Sequence, residues 1–235
     1  MEKQKSEKLI AFIEVIGFVA FALILKRGLD PVFWRFAGPV SLIIVLVILT
    51  GYMRARGLRW SEMGLRPLPG IKAKLMVIPQ AFLVFLAFVA AVAPILLISE
   101  ALGLTFMTEI PAGVEERWGD IAGSLPNYLL WMGIVWTAAA FGEEMFFRGF
   151  LITRLQAAFK GLPMANVLAV LLPALLFGYG HMYYQGLRGL IVTGAIALAF
   201  GTMFLVFKRN LWPIILLHGI IDSLGMTSRY MNWDT

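Results

Sequence analysis

Seven apolar stretches, each close to the length of a membrane crossing, run along the 235-residue chain, at roughly 9–25, 36–53, 75–98, 126–152, 162–181, 187–207 and 211–228. At about 1.5 Å per helical residue, each crosses or nearly crosses a hydrocarbon core of about 30 Å. The fold expected is all-α: a polytopic transmembrane helix bundle of about seven to eight spans, with an eighth boundary available at 95–104. Composition agrees, since 60% of residues are hydrophobic and 14% charged, against about 45–50% and about 25% in soluble domains. Long Ser, Gln or Pro-rich tracts are missing, which excludes a disordered chain. No repeat of fixed period divides the sequence, so residues 1–235 read as one domain.

The first stretch follows Lys3, Lys5 and Lys8 and superficially resembles a secretory signal. It is followed by Lys26 and Arg27 rather than by a small-residue cleavage site, so it reads as a retained span. A net charge of +6 would suggest nucleic acid in a soluble protein. Here the cations cluster between apolar stretches, which makes them a topology signal and excludes a nucleic-acid partner. Assigned to alternate sides, fourteen Lys and Arg fall on the side of the N-terminus and six on the other. The expectation is an integral, multi-pass membrane protein with a cytoplasmic N-terminus. The basic loop from Arg54 to Lys74 is expected near lipid headgroups, with a short interfacial helix. The absence of cysteine removes disulfides, thiolate metal sites and cysteine nucleophiles.

Ionisable groups inside the spans are the informative exceptions. Glu143, Glu144 and Arg148 stand in the fourth apolar stretch, and three such groups at mid-bilayer cost on the order of 9 kcal/mol without partners or a polar cavity. Glu144 and Arg148 are four residues apart, the favourable order for a same-face ion pair on a helix. Glu143 projects elsewhere and lacks that partner. Two adjacent carboxylates in a low-dielectric site are the arrangement from which a general base working near neutrality is made.

Both histidines also lie in or at the end of apolar stretches, His181 in the fifth and His218 in the seventh. Counted from the basic boundaries at Arg154 and Arg209, Glu144, His181 and His218 fall about 15, 20 and 14 Å deep. They can therefore converge near mid-membrane. Asp222, four residues after His218, is placed to orient that imidazole.

In order on separate stretches, the chain thus carries Glu-Glu-x-x-x-Arg (143–148), Phe-x-x-x-His (177–181) and His-x-x-x-Asp (218–222). This resembles the three-part signature of the CPBP (ABI) family of intramembrane proteases, which includes the type II CAAX prenyl proteases. The similar core covers about 126–228. The resemblance implies an intramembrane endopeptidase in which Glu143, with His181, activates a water for attack on a peptide carbonyl. It implies that His218 and the residue four after it stabilise the oxyanion, and that Glu144 and Arg148 support the site. Asp222 departs from the Asn usual in the prenyl-protease branch, and an ionised Asp cannot donate to an oxyanion. The implied partners are the lipid bilayer and a peptide or protein substrate, prenylated in CAAX-type processing; in bacteria the implied roles extend to peptide processing or immunity.

Two points stay open at this level. Glu143, His181 and His218 would suffice as zinc ligands, but no His-Glu-x-x-His motif is present, and a mechanism with no cofactor is favoured. The alternative function is a membrane transporter or proton relay using the same Glu/His cluster; a packing-only scaffold is a third reading. Gly142, Gly149, Gly178, Gly180 and Gly219 flank the polar residues, and close helix packing is expected of them. The aromatic residues Trp131, Trp136, Phe141, Phe146 and Phe147 are expected to pack the bundle rather than form a cofactor pocket.

Overall fold

The structure is a computed structural model describing residues 2–233, with side chains described from Lys5 onward; Lys3 of the N-terminal cluster lies outside those side chains. Its helices are α1 (Glu2–Phe33), α2 (Ala37–Ala55), α3 (Gly70–Leu75), α4 (Val77–Ala101), α5 (Thr105–Thr108), α6 (Ala112–Trp118) and α7 (Leu125–Ile134), followed by a π-helical run (Val135–Ile152), α8 (Thr153–Ala158), α9 (Ala165–Val206) and α10 (Trp212–Tyr230). Among the described residues there is no strand, and the chain is an all-α bundle.

Four segments are long and apolar enough to cross a membrane: Lys5–Phe33, Ala37–Ala55, Gly70–Ala101 and Ala165–Val206. Together they make this an integral membrane protein. The fourth has 42 residues and breaks at Gly186 (φ 60°, ψ −156°), a backbone conformation that is essentially glycine's alone. Its two limbs correspond to the fifth and sixth apolar stretches and pack back to back. A Cβ on Gly178 would stand 2.5 Å from the Leu190 carbonyl oxygen and 3.1 Å from Gly194 Cα. The expected spans around 126–152 and 211–228 are helical but fall outside the four, because the chain concentrates its intramembrane ionisable residues in them.

The central element is the π-helical run, which packs against α2, α9 and α10. Its apolar side enters the main core, where Leu49, Phe150 and Phe204 are fully enclosed. The sequence pattern predicts an α-helix here. The wider i→i+5 winding of a π-helix is rare, and where found it often marks functional sites.

Loops sort onto two ends of the bundle. At one end Glu14, buried on α1, accepts a hydrogen bond from the Tyr52 hydroxyl (2.8 Å) and pairs with Arg154 (2.5 Å) and Arg56 (3.4 Å). Arg66 donates to the Phe207 carbonyl (2.9 Å) there. At the other end Arg35 pairs with Asp120, Arg229 with Glu115 (2.8 Å), and Arg188 donates to the Glu109 carbonyl (3.2 Å). The division matches the two groups of cations in the sequence.

The Arg54–Lys74 loop contains a short helix, α3, and exposes Arg54, Arg56 and Arg59, while its middle is tied into the bundle end. Met63 is fully buried, the Leu211 amide donates to the Gly64 carbonyl (3.1 Å), and Trp212 Nε1 donates to the Arg66 carbonyl (2.8 Å). Gly64 holds φ 101°, and a Cβ there would meet the Phe204 ring at 2.6 Å and the Arg209 carbonyl at 2.7 Å. A tight turn against a core aromatic leaves room only for glycine.

Candidate active site

The π-helical run, α9 and α10 enclose the deep end of a cavity of about 900 Å³. Glu143 and Arg148 reach it from the π-helical run, His181 from α9, and His218 and Asp222 from α10. Glu144 lies immediately behind, fully enclosed. All six residues singled out in the sequence are thus gathered at one place.

Glu144 is the hub of the arrangement. Its Oε1 accepts from Arg148 Nη1 at 2.9 Å and from His218 Nδ1 at 2.7 Å. The i to i+4 pair with Arg148 survives the π winding. The contact to His218 assigns the orienting role differently from the sequence reading, which gave it to Asp222. Asp222 Oδ2 lies 3.4 Å from His218 Nε2, and Glu143 Oε2 3.9 Å from the same nitrogen. His218 is therefore held at Nδ1 by a buried carboxylate and presents Nε2 towards the cavity.

His181 is fixed by its own helix. Its Nδ1 donates to the Phe177 carbonyl at 2.9 Å, which leaves Nε2 as an acceptor. The spacing of four residues that carries the Phe-x-x-x-His pattern also brings the two rings to 4.4 Å. Phe177 in turn lies 4.9 Å from Arg148 Cζ, whose other face meets Phe200 at 5.4 Å. These aromatic rings pack against the guanidinium beside the Glu144 ion pair.

Among the described residues no group of three or more His, Asp or Glu side chains is positioned to hold an ion.

Residues 125–224 match the family model for type II CAAX prenyl endopeptidase Rce1-like proteins. The segment is similar to Rce1-like proteins. The match supports the family resemblance drawn from the three motifs and, with it, a protease of the CAAX type working in a membrane. It contains all six site residues and covers under half of the chain. No curated protein and no solved structure matches the chain.

Outside the Rce1-like segment, α1, α2 and α6 complete the cavity wall with Val19, Leu42 and Arg117. Arg117 and, within the segment, Tyr184 and Phe200 were not singled out in the sequence. The one available signal for Arg117 was its isolation as the sole cation in an acidic loop. The flanking glycines divide by role. A Cβ on Gly219 would meet the Trp136 ring at 2.5 Å and one on Gly149 the Met63 carbonyl at 2.9 Å, both close packing as expected. Gly180 has nothing within 4 Å of a Cβ and lines the cavity, so its small size leaves space rather than filling a contact. Trp131, Phe146 and Phe147 pack the bundle and also wall the cavity.

Proposed function

We propose that the cavity hydrolyses a peptide bond near the end of a membrane-associated, prenylated protein tail, with Glu143 as general base. The observation that carries this reading is the convergence of Glu143, His181 and His218 on one cavity, with His218 locked from behind by Glu144. Glu143 takes a proton from a water that also donates to His181 Nε2. The water oxygen bonds to the scissile carbonyl carbon, and the carbonyl electron pair moves onto its oxygen. His218 in its doubly protonated form donates Nε2–H to that oxyanion, Asp222 flanking the same nitrogen. Collapse breaks the C–N bond, and the proton on Glu143 passes to the leaving amine. Glu143→Ala and His181→Ala proteins should extract in folded form yet fail to cleave an internally quenched prenylated CAAX peptide. Cleavage by either variant at close to the wild-type rate would sink the assignment.

No step in this scheme calls for a metal ion. Activity should persist after thorough chelation in protein shown by elemental analysis to lack zinc; loss of activity on chelation with recovery on zinc addition would refute the metal-free route.

We read the N-terminus as cytoplasmic from the excess of Lys and Arg on its side. The cavity is also lined by Lys26, Arg117, Arg188 and Arg229, all cations of the opposite group. The chain has no cysteine, which makes single-cysteine labelling clean. A membrane-impermeant thiol reagent applied to intact cells should label Leu187→Cys and spare Lys72→Cys. The reverse pattern would invert the orientation.

A further inference from the structure

We propose that Arg117 anchors the free C-terminal carboxylate of the substrate, so that the enzyme measures its cleavage position from the chain end. This rests on the peptidase reading above and names the group that positions the tail in the same cavity.

Arg117 lies in the last turn of α6 and is 7% exposed. Its guanidinium sits among aromatic faces, 4.7 Å from the Tyr184 ring centre, 5.6 Å from Trp131 and 5.7 Å from Trp118. Among the described residues no carboxylate lies within ion-pair distance of it and no acceptor meets its N–H groups; Nε is fully buried without a partner. Ring faces favour the cation's charge but do not receive its in-plane donors. A guanidinium has five N–H groups in a fixed fork, and a buried charge without hydrogen-bonding partners is costly.

The other rim cations are satisfied. Lys26 pairs with Asp30 at 3.0 Å, Arg229 with Glu115 at 2.8 Å, and Arg188 donates to the Glu109 carbonyl at 3.2 Å. Among the described residues Arg117 alone of the four lacks an anionic or carbonyl partner. Its position is held by the backbone instead, since Arg35 donates to the Arg117 carbonyl from Nε (3.0 Å) and Nη2 (2.7 Å). The result is a rigidly mounted fork facing the cavity, the geometry that binds a carboxylate bidentately.

Distance then selects which carboxylate. Arg117 Cζ is 4.7 Å from the Tyr184 ring centre, and that centre is 5.8 Å from the His181 ring centre, so guanidinium and imidazole are at most roughly 11 Å apart. An extended peptide advances about 3.3 Å per residue. An extended tail held by its carboxylate on Arg117 thus brings a carbonyl within a few residues of its end to His181. The guanidinium also interacts electrostatically with Glu143 across the cavity, and a bound carboxylate would neutralise it during turnover.

The test compares two internally quenched prenylated CAAX peptides, identical except that one ends in a free carboxylate and the other in an amide. Wild-type protein should favour the free acid in kcat/KM by about tenfold to hundredfold, the range of a charge-assisted hydrogen-bonded pair. In Arg117→Gln that ratio should fall to about one, and Arg117→Lys, which keeps charge without the fork, should be intermediate. A wild-type ratio near one, or an unchanged ratio in Arg117→Gln, overturns the proposal, and because each ratio is internal to one protein, partial misfolding does not mimic either result. Binding of the same fluorescent peptides to Glu143→Gln protein, by anisotropy, separates this from the peptidase reading. Acid-selective binding that depends on Arg117, in a wild-type protein that cleaves neither peptide, would keep the anchor and discard the chemistry.

Discussion

Glu144→Ala should be the most destabilising single substitution in the site, lowering stability by about 3–5 kcal/mol, the cost of leaving one partner of a buried ion pair alone. Arg148 is 2% exposed and packs against Phe177 and Phe200, so its charge is largely desolvated once the carboxylate is lost. The same change frees His218 Nδ1, bound to Glu144 at 2.7 Å. Pairing Glu144→Leu with Arg148→Met removes both charges and keeps the volume filled, which is often neutral or stabilising for buried pairs. The double variant should therefore recover thermal stability in detergent while remaining inactive, because His218 has lost its holder. Recovery of activity together with stability would show that Glu144 serves the fold alone. Failure to recover stability would show that the pair is not the source of the loss.

Glu143→Gln should remove peptide cleavage by about 10²–10⁴-fold, the usual contribution of a positioned general base. The substitution keeps size and hydrogen-bonding capacity but cannot accept the water proton. Glu143 lines the open cavity and its nearest charged contact is His218 Nε2 at 3.9 Å, so little packing depends on its charge. Thermal stability should stay close to wild type, in contrast to Glu144→Ala. Two adjacent glutamates therefore separate by assay: loss of Glu143 affects rate, and loss of Glu144 affects both rate and stability.

The membrane character of the chain and the six polar residues of the site were legible because charge is expensive in lipid. Each ionisable side chain inside an apolar stretch stood out against its neighbours, and helix spacing paired Glu144 with Arg148 correctly. Partnerships between helices were not legible. Glu144 reaches His218 across 74 positions of sequence, whereas spacing along α10 pointed to Asp222, which contacts the other ring nitrogen at 3.4 Å. The π winding of Val135–Ile152 was hidden too, since a run of apolar residues fits either winding and backbone hydrogen bonding decides it. The charge of the Arg54–Lys74 loop did not show that Met63, Gly64 and Trp212 tie its middle into the bundle. Arg117 escaped notice because it lies outside any apolar stretch, where a lone cation carries no cost until folding buries it.

The central claim is that water, activated by Glu143, cleaves a peptide bond directly in this cavity. Purified wild-type and Glu143→Gln proteins can be mixed with a prenylated CAAX peptide in ¹⁸O-labelled water under single-turnover conditions, and products and enzyme weighed by mass spectrometry. The expected result for wild type is one ¹⁸O in the new carboxylate of the upstream fragment, a released tail, and an enzyme of unchanged mass throughout; Glu143→Gln should form the products at least about a hundredfold more slowly. A peptide–enzyme adduct, or cleavage by Glu143→Gln at the wild-type rate, would contradict the account.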